Sequence, residues 1–198
     1  MNKANKLEEA LFKNTEKALA AYKKMTGIGR PYHVPESFVQ NFVALNVANA
    51  LGILVLPEAT RKKILEIRKS KARGPIPANS KARYDLLAFF KSGRPWAAIE
   101  LKRANSIRQL VTDKKKLRRL LSGAAGKVAR RGYLLAFTGA KPLKQQSGAK
   151  AQESVKKRIK KWAKELDAFL RDSYVGFLKD DNRVVGIALY RLRKKKRT

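Results

Sequence analysis

Apolar positions along the chain fall into a succession of short periods. Over residues 1–25, Leu7, Leu11, Ala18, Leu19 and Tyr22 recur at helical spacing and predict an amphipathic helix. Gly27, Gly29 and Pro31 break it. Pro35 suits the first turn of a second helix, with Phe38, Phe42, Leu45 and Asn49 on one stripe and Gly52 at its end. Residues 53–56 are all apolar and read as a buried strand. Residues 59–70, with Ile64, Leu65 and Ile67, predict a short helix, and 71–81, with Gly74, Pro75 and Pro77, a loop.

Residues 84–90 and 96–101 read as the two strands of a hairpin turning at Ser92-Gly93. Ile107, Leu110, Leu117, Leu120 and Leu121 mark a helix ending near Gly123, and 133–138 a further strand. After a loop at 140–151, Val155, Ile159, Trp162, Leu166 and Phe169 step at helical intervals along a basic helix. Residues 174–178 and 184–192 close around 179–182 as a second hairpin. Divided by these signals, the chain has an N-terminal helical extension (1–30), a core (31–140), and a basic helix with hairpin packed on that core (141–198).

Charge changes the picture more than length does. Lys and Arg total 47 against 15 Asp and Glu, a formal charge of +32. Such an excess repels itself unless a polyanion neutralises it, and nucleic acid is the common polyanion. Hydrophobic content of 44% excludes a disordered basic tail. No apolar run approaches the roughly 18–20 residues of a spanning helix, so no membrane partner is expected. Residues 1–9 are polar and do not read as a secretory signal. With no cysteine, disulfides and thiol chemistry are excluded, and a cytoplasmic location is expected, nucleoid-associated if the source is prokaryotic. One histidine, His33, is too few for a zinc site or for histidine-based nuclease chemistry. The glycines of 123–127 are too close for a P-loop.

Chemistry must therefore rest on carboxylates and lysine. A two-residue turn at Ser92-Gly93 places Asp85 directly opposite Glu100, with Cβ atoms about 4.5–5.5 Å apart. Period two puts Lys102 on the face of Glu100. Pro95 cannot donate to the ladder and leaves room for a shifted register. Opposed carboxylates in an apolar hairpin repel, which raises a pKa. A divalent cation removes the conflict, because Mg²⁺ takes one or two carboxylates plus water and phosphate oxygens. Structural salt bridges, Glu100 with Lys102 or Arg103 and Asp85 with Arg83, are the plainer account of the same residues. Glu36, with Gln40 one turn on, and Glu58 are the other acids with apolar neighbours.

Asp85, then Glu100-Leu101-Lys102 on the next strand, with a helix before and a helix and strand after, resembles the PD-(D/E)XK nuclease superfamily. The resemblance covers about 35–138, with Tyr84 in place of the family's Pro. It implies an α/β (α+β) restriction-endonuclease-like core of order helix-strand-strand-strand-helix-strand. It also implies Mg²⁺ or Mn²⁺ held by Asp85, Glu100 and the Leu101 carbonyl. Glu36 would reach the metal or its water, and Lys102 would orient the attacking water. Gln109 is followed four residues on by Asp113, which departs from the Gln-x-x-x-Tyr element of one subset.

The expected activity is metal-dependent phosphodiester hydrolysis, on DNA in preference to RNA and as an endonuclease. Cutting both strands with one site per chain invites a homodimer. Arg83, Arg103, Arg108, Lys114, Lys115, Arg118 and Arg119, and on the later helix Lys156, Lys157, Lys160 and Lys161, are expected to meet backbone phosphates. The alternative is a non-catalytic nucleic-acid-binding or packaging protein, in which the geometry of Asp85, Glu100 and Lys102 is coincidence.

Overall fold

Six strands form one mixed sheet between two helical layers. The structure, a computed structural model, describes residues 3–27, 33–60, 83–122, 129–140, 148–178 and 182–193. Its elements are α1 (Lys3–Thr26), α2 (Glu36–Leu51), β1 (Val55–Thr60), β2 (Arg83–Phe89), β3 (Pro95–Arg103), α3 (Ile107–Ser122), β4 (Arg131–Ala140), α4 (Gly148–Glu165), β5 (Ala168–Leu178) and β6 (Arg183–Leu192). The strand order is β1-β2-β3-β4-β6-β5. Only β3 and β4 pair in parallel, with α3 as the crossover between them; every other pair is antiparallel.

Alternation along the strands assigns the two cores. Leu86, Ala88, Ala97, Ile99, Leu101, Leu135 and Phe137 point towards α1 and α2. Leu87, Phe89, Ala98, Leu134, Ala136, Ala188 and Tyr190 point towards α3 and α4. Such near-continuous burial of β3 and β4 is what helices on both faces require.

Several elements differ from the sequence expectations, each for a physical reason. The buried side of α2 is Val39, Gln40, Val43, Ala44 and Val47, not the Phe38–Leu45 stripe; Leu45 and Asn49 are exposed. That helix is apolar on several sides, so periodicity could not choose the face, and Phe38 instead packs edge-on against Tyr22 of α1. Pro35 is the N-cap rather than a first-turn residue, and Gly52 ends the helix in the left-handed region at φ 59°. Leu54 is exposed and β1 runs on to Thr60, so residues 59 and 60 are strand and not helix.

At the other end of the chain α4 stops at Glu165, and Asp167 turns with φ 47°. Phe169 therefore leaves the helical stripe and sits exposed on β5, which begins six residues earlier than its apolar run suggests. Ala140 belongs to β4 and residues 148–151 to α4 rather than to a loop. The rest of the predicted 59–70 helix, the 71–81 loop, residues 123–127, 141–147, 179–181 and the basic tail lie outside the described residues.

Candidate functional site

The β2–β3 hairpin carries the acids, in the register expected for them but reached by a different turn. Leu86 pairs with Ile99, Leu87 with Ala98 and Ala88 with Ala97, which brings Asp85 and Glu100 level. The turn itself is longer than two residues. Phe90 donates its N–H to the Arg94 carbonyl, Gly93 to that of Phe90, and Gly93 takes φ 74°. This is the three-residue loop that needs a glycine in the left-handed region. A bulge at Ala88/Phe89 absorbs the extra residue, so Pro95 opens the strand without shifting the pairs beyond it.

Asp85 is oriented by the backbone. The Leu101 N–H donates to its Oδ2 at 2.8 Å. Gln40 of α2, buried, donates from Nε2 to the Asp85 carbonyl at 2.7 Å and ties that helix to the strand. Glu36, in the first turn of α2, braces the end of β3: its Oε1 accepts from the Arg103 N–H at 3.0 Å, and its Oε2 meets Lys102 Nζ at 3.4 Å.

Glu100 is 2% exposed, and its Oε2 accepts from Lys116 Nζ of α3 at 2.7 Å. Lys116 also lies over the Tyr84 ring, 5.3 Å from its centre. The ion pairs are thus neither of those expected from neighbours in sequence. Glu100 takes Lys116, Lys102 takes Glu36, and Arg83 takes Glu58 at 3.8 Å. Glu58 itself faces solvent, at φ 49°.

Burial, then the Asp85 charge, push the Glu100 carboxyl up to about 8 against the pull of Lys116. Burial also raises Asp85, opposed chiefly by the Leu101 N–H and by Lys116. Asp113 of α3 is raised by burial as well, and lies in the field of Lys102, Lys116, Asp85 and Glu36. Four carboxylates and two lysines therefore share one region at the carboxyl end of β3.

Lys116 and Asp113 were not singled out from the sequence as members of this group. A signal existed: Asp113 is the sole acid of the otherwise basic α3, one turn before Lys116. Gln109, two positions after the start of the same helix, caps it by accepting from the N–H groups of Asn105 and Ser106.

A divalent cation fits these residues in part. Glu100 Oε1 is buried and accepts no hydrogen bond. A buried carboxylate oxygen without a donor calls for a proton or a cation. Among the described residues no three carboxylate, histidine or cysteine groups converge on one point. An ion here would have Asp85 and Glu100 as its protein carboxylates and complete its shell with water and phosphate oxygen.

The basic helices divide into two kinds of cation. Arg108, Lys115 and Arg119 of α3 and Lys156, Lys157, Lys160 and Lys161 of α4 are exposed, as are Arg83 and Arg103. Lys114 and Arg118 are half-buried and make contacts within the fold. Lys114 Nζ reaches the Glu165 carbonyl at 3.4 Å, and Arg118 holds Asp167 at 2.7 Å, so both fasten α3 to the turn between α4 and β5.

Glu8 of α1 is a buried acid with its own set of partners. It is 5% exposed and is met by Arg171 at 2.7 Å, Arg191 at 3.2 Å, Arg131 at 3.8 Å and the Tyr133 hydroxyl at 3.0 Å.

No described helix is long and apolar enough to cross a membrane. Comparison with protein-family models, with curated proteins and with solved structures finds no match to this chain.

Proposed function

We propose that the chain is a metal-dependent nuclease that hydrolyses phosphodiester bonds, with DNA as the preferred substrate. The observation that carries this reading is the pairing of Asp85 with Glu100, whose buried Oε1 lacks a donor and whose carboxyl is held up to about 8. A buried carboxylate beside a half-buried one that repels it is costly to fold around, and perturbed groups of this kind concentrate at functional sites. The restriction-endonuclease-like core and the PD-(D/E)XK superfamily belong to the same proposal.

Asp85 and Glu100 would hold Mg²⁺ or Mn²⁺, which supplies an acidified water and neutralises charge on the phosphate. The Leu101 N–H fixes the Asp85 carboxylate, and Gln40 fixes its backbone, so the first acid is presented in one orientation. Lys102 shares the Glu100 face and is half-buried, which suits it to orient water and offset charge on a phosphate oxygen. Glu36 keeps its ammonium at the strand end. The exposed cations of α3 and α4 lie on the helical layer that faces the same side of the sheet as Glu100, and would hold the strand by its phosphates.

A second reading has its own observation. Lys116 already stands 2.7 Å from Glu100 Oε2 and fills the place of a counter-charge there, as a fold kept only for binding would have it. Plasmid and single-stranded DNA incubated with Mg²⁺, with and without chelator, decide between the two. Chelator-sensitive cutting that disappears in Asp85→Asn supports the nuclease. Binding without cutting by a purified, folded chain leaves the packaging reading.

A further inference from the structure

At the opposite end of the β2–β3 hairpin from the acids is a cavity of about 490 Å³. Five residue steps along β2 separate Asp85 from Phe90, or about 16 Å at strand rise. Its walls are Leu51 at the end of α2, Ile53 just past its glycine cap, and the stacked rings of Phe90 and Trp96, whose centres are 5.0 Å apart at 18°. Its charged lining is Lys6, Lys91, Arg94 and Arg130, and no carboxylate lines it among the described residues.

We infer that this cavity receives one unpaired nucleotide of a nucleic-acid strand, with the base against the apolar wall and the phosphate among the four cations. The volume is that of a small-molecule site. The wall suits a flat apolar group, and the rim suits an anion attached to it; a nucleotide is both. Trp96, 6% exposed, stacks on Phe90, and Arg130 lies over the Phe90 ring at 5.5 Å, so the planar group that a base entering the cavity would meet is the Arg130 guanidinium, backed by the two rings. The cations are set on firm backbone: Arg94 closes the tight loop through the Phe90 N–H, and the Arg130 N–H donates to the Trp96 carbonyl at 2.9 Å. A base paired inside a duplex cannot enter such a cavity, so the site selects single-stranded, frayed or extruded nucleotides.

The source of the nucleotide rests on the nucleic-acid reading above, but the binding is measured without cleavage. The full chain in EDTA is titrated with deoxyadenosine monophosphate, deoxyadenosine and inorganic phosphate, while tryptophan fluorescence is followed. Only Trp96 and Trp162 emit, and Trp162 lies on α4 across the sheet. The monophosphate quenches saturably, and the nucleoside and the phosphate each bind about tenfold or more weakly, because each supplies half of the recognised groups.

A single-stranded oligodeoxynucleotide quenches in the same way, and a hairpin duplex closed at both ends does not. Trp96→Phe removes the quench with its apolar packing kept. Arg94→Glu weakens monophosphate binding at least about tenfold with unchanged circular dichroism. Absence of a saturable quench, equal quenching by the closed duplex, phosphate alone binding as tightly, or full quenching in Trp96→Phe each overturns the inference. Asp85→Asn leaves nucleotide quenching intact, so failure of the cleavage reading and failure of this one are told apart.

Discussion

Lys116 reaches from α3 to Glu100 on β3, with Nζ 2.7 Å from Oε2, and sits where a positive charge is most needed in the acid cluster. The ammonium and a divalent ion answer the same requirement, a counter-charge for buried Glu100 and half-buried Asp85. Removing the ammonium leaves a buried charge without its partner, which costs about 3–5 kcal/mol when the loss is complete. Lys116→Met is therefore expected to lower the stability of the metal-free protein at pH above about 8, where Glu100 is charged. Added Mg²⁺ recovers part of that loss. Thermal unfolding with and without metal measures both, and a variant as stable as the parent in EDTA would place Lys116 outside the electrostatics of the site.

Glu100 sets a pH dependence of known sign. Its folded-state value of about 8 lies above its ordinary value of 4.5, so the folded state binds the extra proton. The resulting stability is complete below about pH 4.5 and is lost as pH rises through about 8, at up to about 1.4 kcal/mol per pH unit. Asp85 and Asp113 are raised too and act in the same direction. In EDTA, Glu100→Gln should gain stability relative to the parent as pH increases over this window. Chemical denaturation at several pH values gives the difference directly, and a pH-independent difference would show that Glu100 is charged throughout.

The acids and Lys102 divide binding from chemistry. Asp85→Ala or Glu100→Ala should abolish Mg²⁺-dependent cleavage and leave DNA affinity unchanged or higher, because an acid near the phosphate has been removed. Lys102→Ala should slow single-turnover cleavage by roughly 10²–10⁴ with the fold retained. It also releases Glu36, which still caps Arg103 through the backbone. Weaker binding with an unchanged single-turnover rate would make Lys102 a phosphate contact only.

The cations of α3 separate by what they touch. Charge reversal at exposed Lys115 and Arg119 should flatten the slope of log affinity against log salt by about one to two units, equally on unrelated duplexes, with little change in stability. Arg118→Ala should instead destabilise the fold by breaking the pair with Asp167, and should change the salt slope less. Fluorescence anisotropy and thermal unfolding of the same variants check the division. An unchanged slope in the double reversal would mean that this face of α3 meets bulk solvent.

Glu8 is a structural prediction independent of function. It is the shared acceptor for Arg131, Arg171, Arg191 and Tyr133, drawn from β4, β5 and β6. Glu8→Ala leaves three guanidinium groups facing one another around a buried hydroxyl. A loss of about 3–5 kcal/mol is expected, measured by urea unfolding, and a loss under about 1 kcal/mol would mean that solvent screens the cluster.

The sequence by itself determined the local relationships. Period-two alternation put Lys102 on the face of Glu100, and the two-residue turn read from Ser92-Gly93 set Asp85 level with Glu100 although the actual loop has three residues. The pairing from Leu86 to Ile99 follows that register even though the loop is longer, because the bulge returns the strands to it. Helical spacing likewise placed Leu7, Leu11 and Ala18 of α1 and the buried residues of α3 and most of α4, but not the buried Glu8, Phe12, Asn14 and Thr15 of α1. Tertiary structure decided which element lies against which.

Lys116 and Asp113 joined the acid cluster because α3 crosses back over β3 towards parallel β4, and side chains one turn apart then project onto the sheet. Glu8 was buried because the order β4-β6-β5 lines up three arginines from distant parts of the chain under α1. An apolar helix such as α2 offers more than one face to bury, and only its packing against α1 and the sheet selected Val39, Val43 and Val47. Periodicity states which residues share a side. It carries no information about the charge or shape waiting on the other side, since that arises from chain segments far apart in sequence.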